Sequence, residues 1–151
     1  MIHTFAIAPG ITLRCFPDDR FKQACMSVQL LRPVSRQEAA FDALLPSVLL
    51  RGCESAPDLR AIARRTDDLY GASVSAVVRR VGDYQTTGLY CGFMDDRFAL
   101  PGDQVLKPML EFLAELLLES PTEKGSFLPS FVDSEKKNLI ATIESEMNDK
   151  R

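Results

Sequence analysis

A chain of 151 residues is long enough to bury one core of its own, and 46% hydrophobic against 26% charged residues is the balance of a globular protein rather than a disordered one. A formal net charge of −3 offers no attraction to nucleic acid or to an anionic bilayer, so neither is expected as a partner. No apolar run reaches the ~18–20 residues of a membrane span, and MIHTFAIAPG lacks the basic start and long apolar centre of a signal peptide, which predicts a cytoplasmic address.

Thr4–Ala8 and Ile11–Phe16 read as two short strands parted by Pro9-Gly10, with Pro17-Asp18-Asp19 as the next turn. Gln23–Leu31 alternates, Ala24, Met26, Val28 and Leu30 against Cys25, Ser27 and Gln29, as a half-buried strand does. Ser35 and Glu38 then have the spacing of a capping box, predicting a helix from Arg36. Ala39, Ala43, Leu44, Val48 and Leu49 carry its apolar spacing, and Gly52 stands where a terminating glycine would. Pro46 lies inside this helix, at a cost of about 3 kcal/mol unless the helix kinks there.

Ser55-Ala56-Pro57-Asp58 predicts a capped start for a helix over Asp58–Tyr70 that Gly71 ends. Its apolar face is Leu59, Ile62, Ala63, Leu69 and Tyr70; Arg60, Arg64 and Arg65 mix with Asp58, Asp67 and Asp68 as a solvated charged face. Ala72–Val81 and Tyr84–Phe93 form the clearest hairpin, joined at Gly82-Asp83. Gly88 and Gly92 on its second strand suit a close approach of another backbone. Asp103–Glu119 has the wide apolar stripe of a core helix. Ser120–Pro129 reads as a loop, and Ser130 with Asp133 as the boxed start of a last helix running to about Asn148. The order predicts an α+β fold, with helices on one face of a mainly antiparallel sheet. The chain ends directly after a helix with no closing strand, which predicts a single N-terminal domain cut from a longer, multi-domain polypeptide.

Chemistry-bearing residues are sparse. Cys15, Cys25, Cys53 and Cys91 are scattered with no C-x-x-C, as small buried residues are, and His3 is the only histidine. No metal or other cofactor is expected. Cys53 lies at a helix C-terminus, which disfavours a thiolate, and Asp95-Asp96 with Arg97 reads as a charged turn. An enzyme of the Cys–His or Ser–His type would have no base within reach.

In order of elements, and at Gly10, Leu49-Leu50-Arg51-Gly52, Tyr70-Gly71-Ala72 and Glu135–Asp149, the chain resembles the N-terminal domain of the pitrilysin/insulinase family. These are inverzincin metallopeptidases whose signature is H-x-x-E-H. The matching stretch here is Ala43-Leu44-Leu45-Pro46-Ser47. The resemblance implies that Ala43 and Ser47 stand where the family has its histidine ligands and Pro46 where it has its general base. The later segment, E-(x6)-E-I followed by an Asp, matches Glu135 to Thr142-Ile143 with Asn148-Asp149 downstream, so Thr142 replaces the third ligand. The chain thus resembles the family's catalytically inactive members, such as the non-catalytic subunit of processing peptidases. What that implies is a non-enzymatic, peptide-binding half of a heterodimer with a catalytically competent pitrilysin-like subunit. Zinc should not bind. If the likeness is instead a coincidence of order, the chain is a stand-alone α+β interaction domain. In a pitrilysin-like domain Ala43, Ser47 and Thr142 would lie together on two adjacent helices.

Overall fold

A computed structural model describes residues 1–149, with side chains as far as Met147. The side chains of Asn148 and Asp149 lie outside the described part, as do residues 150 and 151 altogether.

The fold is α+β. Its centre is a three-stranded antiparallel sheet ordered β3–β5–β4, from β3 (Gln23–Pro33), β4 (Ser73–Val81) and β5 (Tyr84–Met94). β4 and β5 close through Gly82-Asp83, with Val81 opposite Tyr84 and Gly82 at φ +61°. Along β5 the period of two sorts Thr87, Leu89, Cys91 and Phe93 inward, all buried. Their register partners Ala24, Met26 and Val28 on β3 and Val74 on β4 share that face and pack against it.

Helix α3 (Leu106–Leu118) lays Met109, Phe112, Leu113 and Leu116 onto these residues, at the i, i+3, i+4, i+7 positions of one helical face. Burial of each such side chain contributes about 1.5–3 kcal/mol. Leu106 and Leu110 of the same stripe stay exposed, so the stripe is wider than the contact. No side chain within α3 caps it; Asp96, in a 3₁₀ turn after β5, accepts from the Val105 and Leu106 amides at 2.7 and 2.8 Å. Gly88 is explained by proximity rather than flexibility, because a Cβ there would lie 1.9 Å from the Val28 carbonyl oxygen.

Several local expectations change. Helix α1 spans Ala39–Leu49 and not from Arg36, with no side-chain cap. Arg32 holds the Glu38 carboxylate at 2.9 Å, and the Ser35 carbonyl makes a turn with the Glu38 and Ala39 amides instead of a capping box. Gly52 is not a left-handed stop. It is small because a Cβ would meet the Pro57 carbonyl oxygen at 2.7 Å.

Helix α2 (Leu59–Asp68) is shorter than Asp58–Tyr70. Its cap is Asp58, which accepts from the Ala61 amide at 2.7 Å, and Pro57 sits before the cap, not in the first turn. Ala61 and Ile62 pack inward while Leu59 and Ala63 are exposed. Tyr70 and Gly71 end this segment with φ of 62° and 70°.

The expected loop at Ser120–Pro129 contains a small hairpin, β6 (Thr122–Glu123) and β7 (Ser126–Phe127), turned by Lys124 and Gly125, both with positive φ. α4 (Pro129–Asp149) therefore starts at a proline rather than in a Ser130 box, and it packs on α1. The first strands, β1 (His3–Ala8) and β2 (Ile11–Cys15), pair only with each other, as an exposed ribbon apart from the central sheet. No described helix is long and apolar enough to cross a membrane.

Candidate functional site

Ala43, Pro46 and Ser47 all lie on α1, Ala43 and Ser47 one turn apart and half-buried. Pro46 faces inward and is fully buried. A proline has no N–H, so the Asp42 carbonyl four residues earlier cannot receive its helical hydrogen bond. The Thr87 hydroxyl, from β5, donates to that carbonyl at 2.6 Å. The helix therefore runs through Pro46 without breaking, and its missing donor comes from the sheet. Two further bonds fasten the same turn: the Gln85 side-chain amide to the Ala39 carbonyl at 3.1 Å, and Arg32 to the buried Asp42 carboxylate at 2.8 Å.

Thr142 lies on α4, the helix that packs on α1, and its hydroxyl donates to the Asn138 carbonyl of its own helix at 3.0 Å. The two helices are joined by Arg51, which pairs with Glu135 at 3.2 Å and stands 5.8 Å from the centre of the Phe131 ring. The Thr142 side chain is exposed.

A methyl group, a pyrrolidine ring and two hydroxyls make up this set. Zinc is held by thiolate, imidazole or carboxylate, so these residues do not fit the ion. His3 is on the exposed ribbon and directly opposite Cys15. Among the described residues no group of three or more His, Cys, Asp or Glu side chains is placed to hold a metal.

The other candidates have structural partners. Asp95 accepts from the Arg97 amide and guanidinium at 2.9 Å, and that hydrogen-bonded guanidinium holds its carboxyl below the usual range. Asp96 caps α3, as described above. Cys53 is fully buried beside Ser55 and Glu115, its sulfur 3.6 Å from Ser55 Oγ.

That last group is one the sequence did not suggest. Ser55 donates to Glu115, and Arg65 reaches both Ser55 at 3.2 Å and Glu115 at 3.3 Å while lying 5.2 Å from the centre of the Phe112 ring. Arg65 is thus a half-buried clamp between α2 and α3 and not part of a solvated face, whereas Arg60 and Arg64 are exposed as expected. The available signal was Glu115, a charge set between the buried Phe112 and Leu116.

No family model matches the chain. A Bacillus subtilis (strain 168) protein named "Probable inactive metalloprotease YmfF" is 29% identical over 141 residues, 93% of this chain and 33% of that protein. The crystal structure of a conserved protein from Enterococcus faecalis V583 superposes with a TM-score of 0.92 at 24% identity, covering 99% of this chain and 35% of the other. The second likeness shows the fold. The first is a likeness to a protein named as a probable inactive metalloprotease. This chain spans about a third of the length of each.

Proposed function

We propose that this chain is a non-catalytic module of the pitrilysin/insulinase type, cytoplasmic, acting as the partner or substrate-binding half of a zinc peptidase complex. It would form part of a longer polypeptide. The observation that carries the reading is the use of α1. At the positions that the resemblance assigns to ligands and base this helix has Ala43, Pro46 and Ser47, with Pro46 buried and the turn hydrogen-bonded to β5 through Thr87. That arrangement serves packing, and none of the three side chains is a base able to activate water. The likeness to a protein named as an inactive metalloprotease supports the same direction.

The test is to purify the complete polypeptide from its own cells and identify what accompanies it by mass spectrometry. Co-purification of a similar chain with an intact H-x-x-E-H is the expected result. Recovery of the polypeptide alone removes the partner from the proposal and leaves the stand-alone binding domain. Restoring histidines by Ala43→His and Ser47→His together should give no peptide hydrolysis, since base and third ligand are still missing. Hydrolysis by that double variant would refute the residue correspondence.

A further inference from the structure

Helices α1 and α3 are fastened by buried apolar side chains, Val48 and Leu49 on the first and Met109, Phe112, Leu113 and Leu116 on the second. α2 has no buried residue. It rests inward on half-buried Ala61 and Ile62, and of the buried residues beside it, Cys53, Ala56 and Leu69, the last alone is large. No strand of the central sheet runs through this segment, since the β4 ladder begins at Ser73. Lifting Cys53–Leu69 away therefore exposes little apolar surface and breaks no ladder bond.

Polar contacts hold the segment instead, and they converge on the C-terminal turn of α3. Ser55 donates to Glu115, Arg65 reaches both, and the Glu54 amide donates to the Glu119 carbonyl at 3.2 Å. Among these groups Arg65 alone comes from α2 itself. A helix of 10 residues is too short to persist undocked, so undocking and unwinding are one event. Where the segment rejoins the body, Tyr70 holds its left-handed φ of 62°. Its hydroxyl donates to Asp103 and accepts from the Leu100 amide at 3.0 Å, which fixes that end of the chain to the loop before α3.

We propose that Cys53–Leu69 is a flap that opens as a unit while the central sheet stays closed. Arg65 is its latch, Tyr70 its anchor, and Cys53 with the Phe112 face of α3 is the surface it uncovers. Segments with few buried apolar contacts are the ones that open at less than the global unfolding free energy. Cys53 and Cys91 are both fully buried, the first in the flap and the second on β5, so the two thiols report on the two parts separately. This inference does not depend on the peptidase-derived reading above.

The experiment is alkylation of the complete polypeptide with iodoacetamide, followed at each cysteine by peptide mass spectrometry, with every rate normalised to that of the same thiol in denaturant. A brief pulse spares both buried thiols. Over hours Cys53 should react at least about tenfold faster than Cys91. Arg65→Met keeps an unbranched stem over Phe112 and removes the guanidinium, so it should speed Cys53 by about tenfold and leave Cys91 unchanged. Arg60→Met, on the exposed side of α2, should change neither. A Cys53 rate within about tenfold of the Cys91 rate overturns the proposal, because both thiols would then appear together on global unfolding. So does an Arg65→Met variant that speeds both by the same factor. The first comparison uses the unaltered polypeptide and decides the matter whether or not Arg65→Met folds.

Discussion

The molecule contains two long hairpins that local sequence describes in the same terms and the fold treats in opposite ways. β1–β2 and β4–β5 are each antiparallel, each alternate apolar and polar residues, and each turn at a glycine with positive φ, Gly10 at 78° and Gly82 at 61°. In β5 the inward residues are buried. In β1 every residue is exposed, Phe5 and Ile7 by 50% and 61%. Alternation specifies pairing and register; whether a face is covered is decided by elements far away in sequence, here α3 and α1 for β5, whereas the main contacts of β1 are with β2.

The sharpest way to break that comparison is truncation of one aromatic in each hairpin. Phe93→Ala should cost about 3–5 kcal/mol in urea unfolding, and Phe5→Ala about 0.5 kcal/mol or less. Equal losses would mean that the ribbon is covered in solution. A second contrast uses glycines. Gly88→Ala places a methyl against the Val28 carbonyl and should cost about 1–3 kcal/mol. Gly10→Ala meets nothing within 4 Å and should cost ~1–2 kcal/mol from its backbone conformation alone. Asn should be tolerated at position 10 and not at 88, as thermal melts of the two variants would report.

The Thr87 hydroxyl gives a finer test. Thr87→Val leaves the buried Asp42 carbonyl without its donor, at ~1–3 kcal/mol. With Pro46→Ala the helix regains its own N–H, so the same Thr87→Val change should cost less, with a coupling of about 0.5 kcal/mol or more in a double-mutant cycle. Additivity would show that the two groups do not compete for one carbonyl.

The smallest effect concerns the cysteines. Burial pushes the Cys91 thiol from 9.0 up to about 11. A folded pKa above the unfolded one means that its contribution is intact below pH 9 and is lost as pH rises from there toward 11. Cys91→Ala should flatten the stability profile in that window. Native-state labelling should modify the exposed Cys25 and spare Cys91 and Cys53.

Much of the architecture was legible. The α+β class, the β4–β5 hairpin and the core stripe of α3 follow from periodicity and turn chemistry, because each is a local property of the chain. The errors share one cause. Ser35 and Glu38 have capping spacing, but Arg32 takes the glutamate; Gly52 has the position of a helix stop, but the Ala56-Pro57 backbone lies against it. Arg65 looks like a surface residue until Glu115 arrives from fifty residues away, and Ser55 has the place of a cap but bonds the same Glu115. Where another residue, a few positions or fifty away, decides what a residue does, spacing alone misreads it. At the candidate site, the residues of the motif helix were readable; the Thr87 bond that secures it was not.

That bond has a consequence for how the protein comes apart. The turn of α1 at Pro46 completes its hydrogen bonding only through a hydroxyl forty-five residues further along the chain. As an isolated segment α1 is an interrupted helix, and it becomes whole only against a formed β5. Its helical circular dichroism and the protection of the central strand should therefore disappear in a single transition: the sheet melts, and the helix has no independent existence to outlast it.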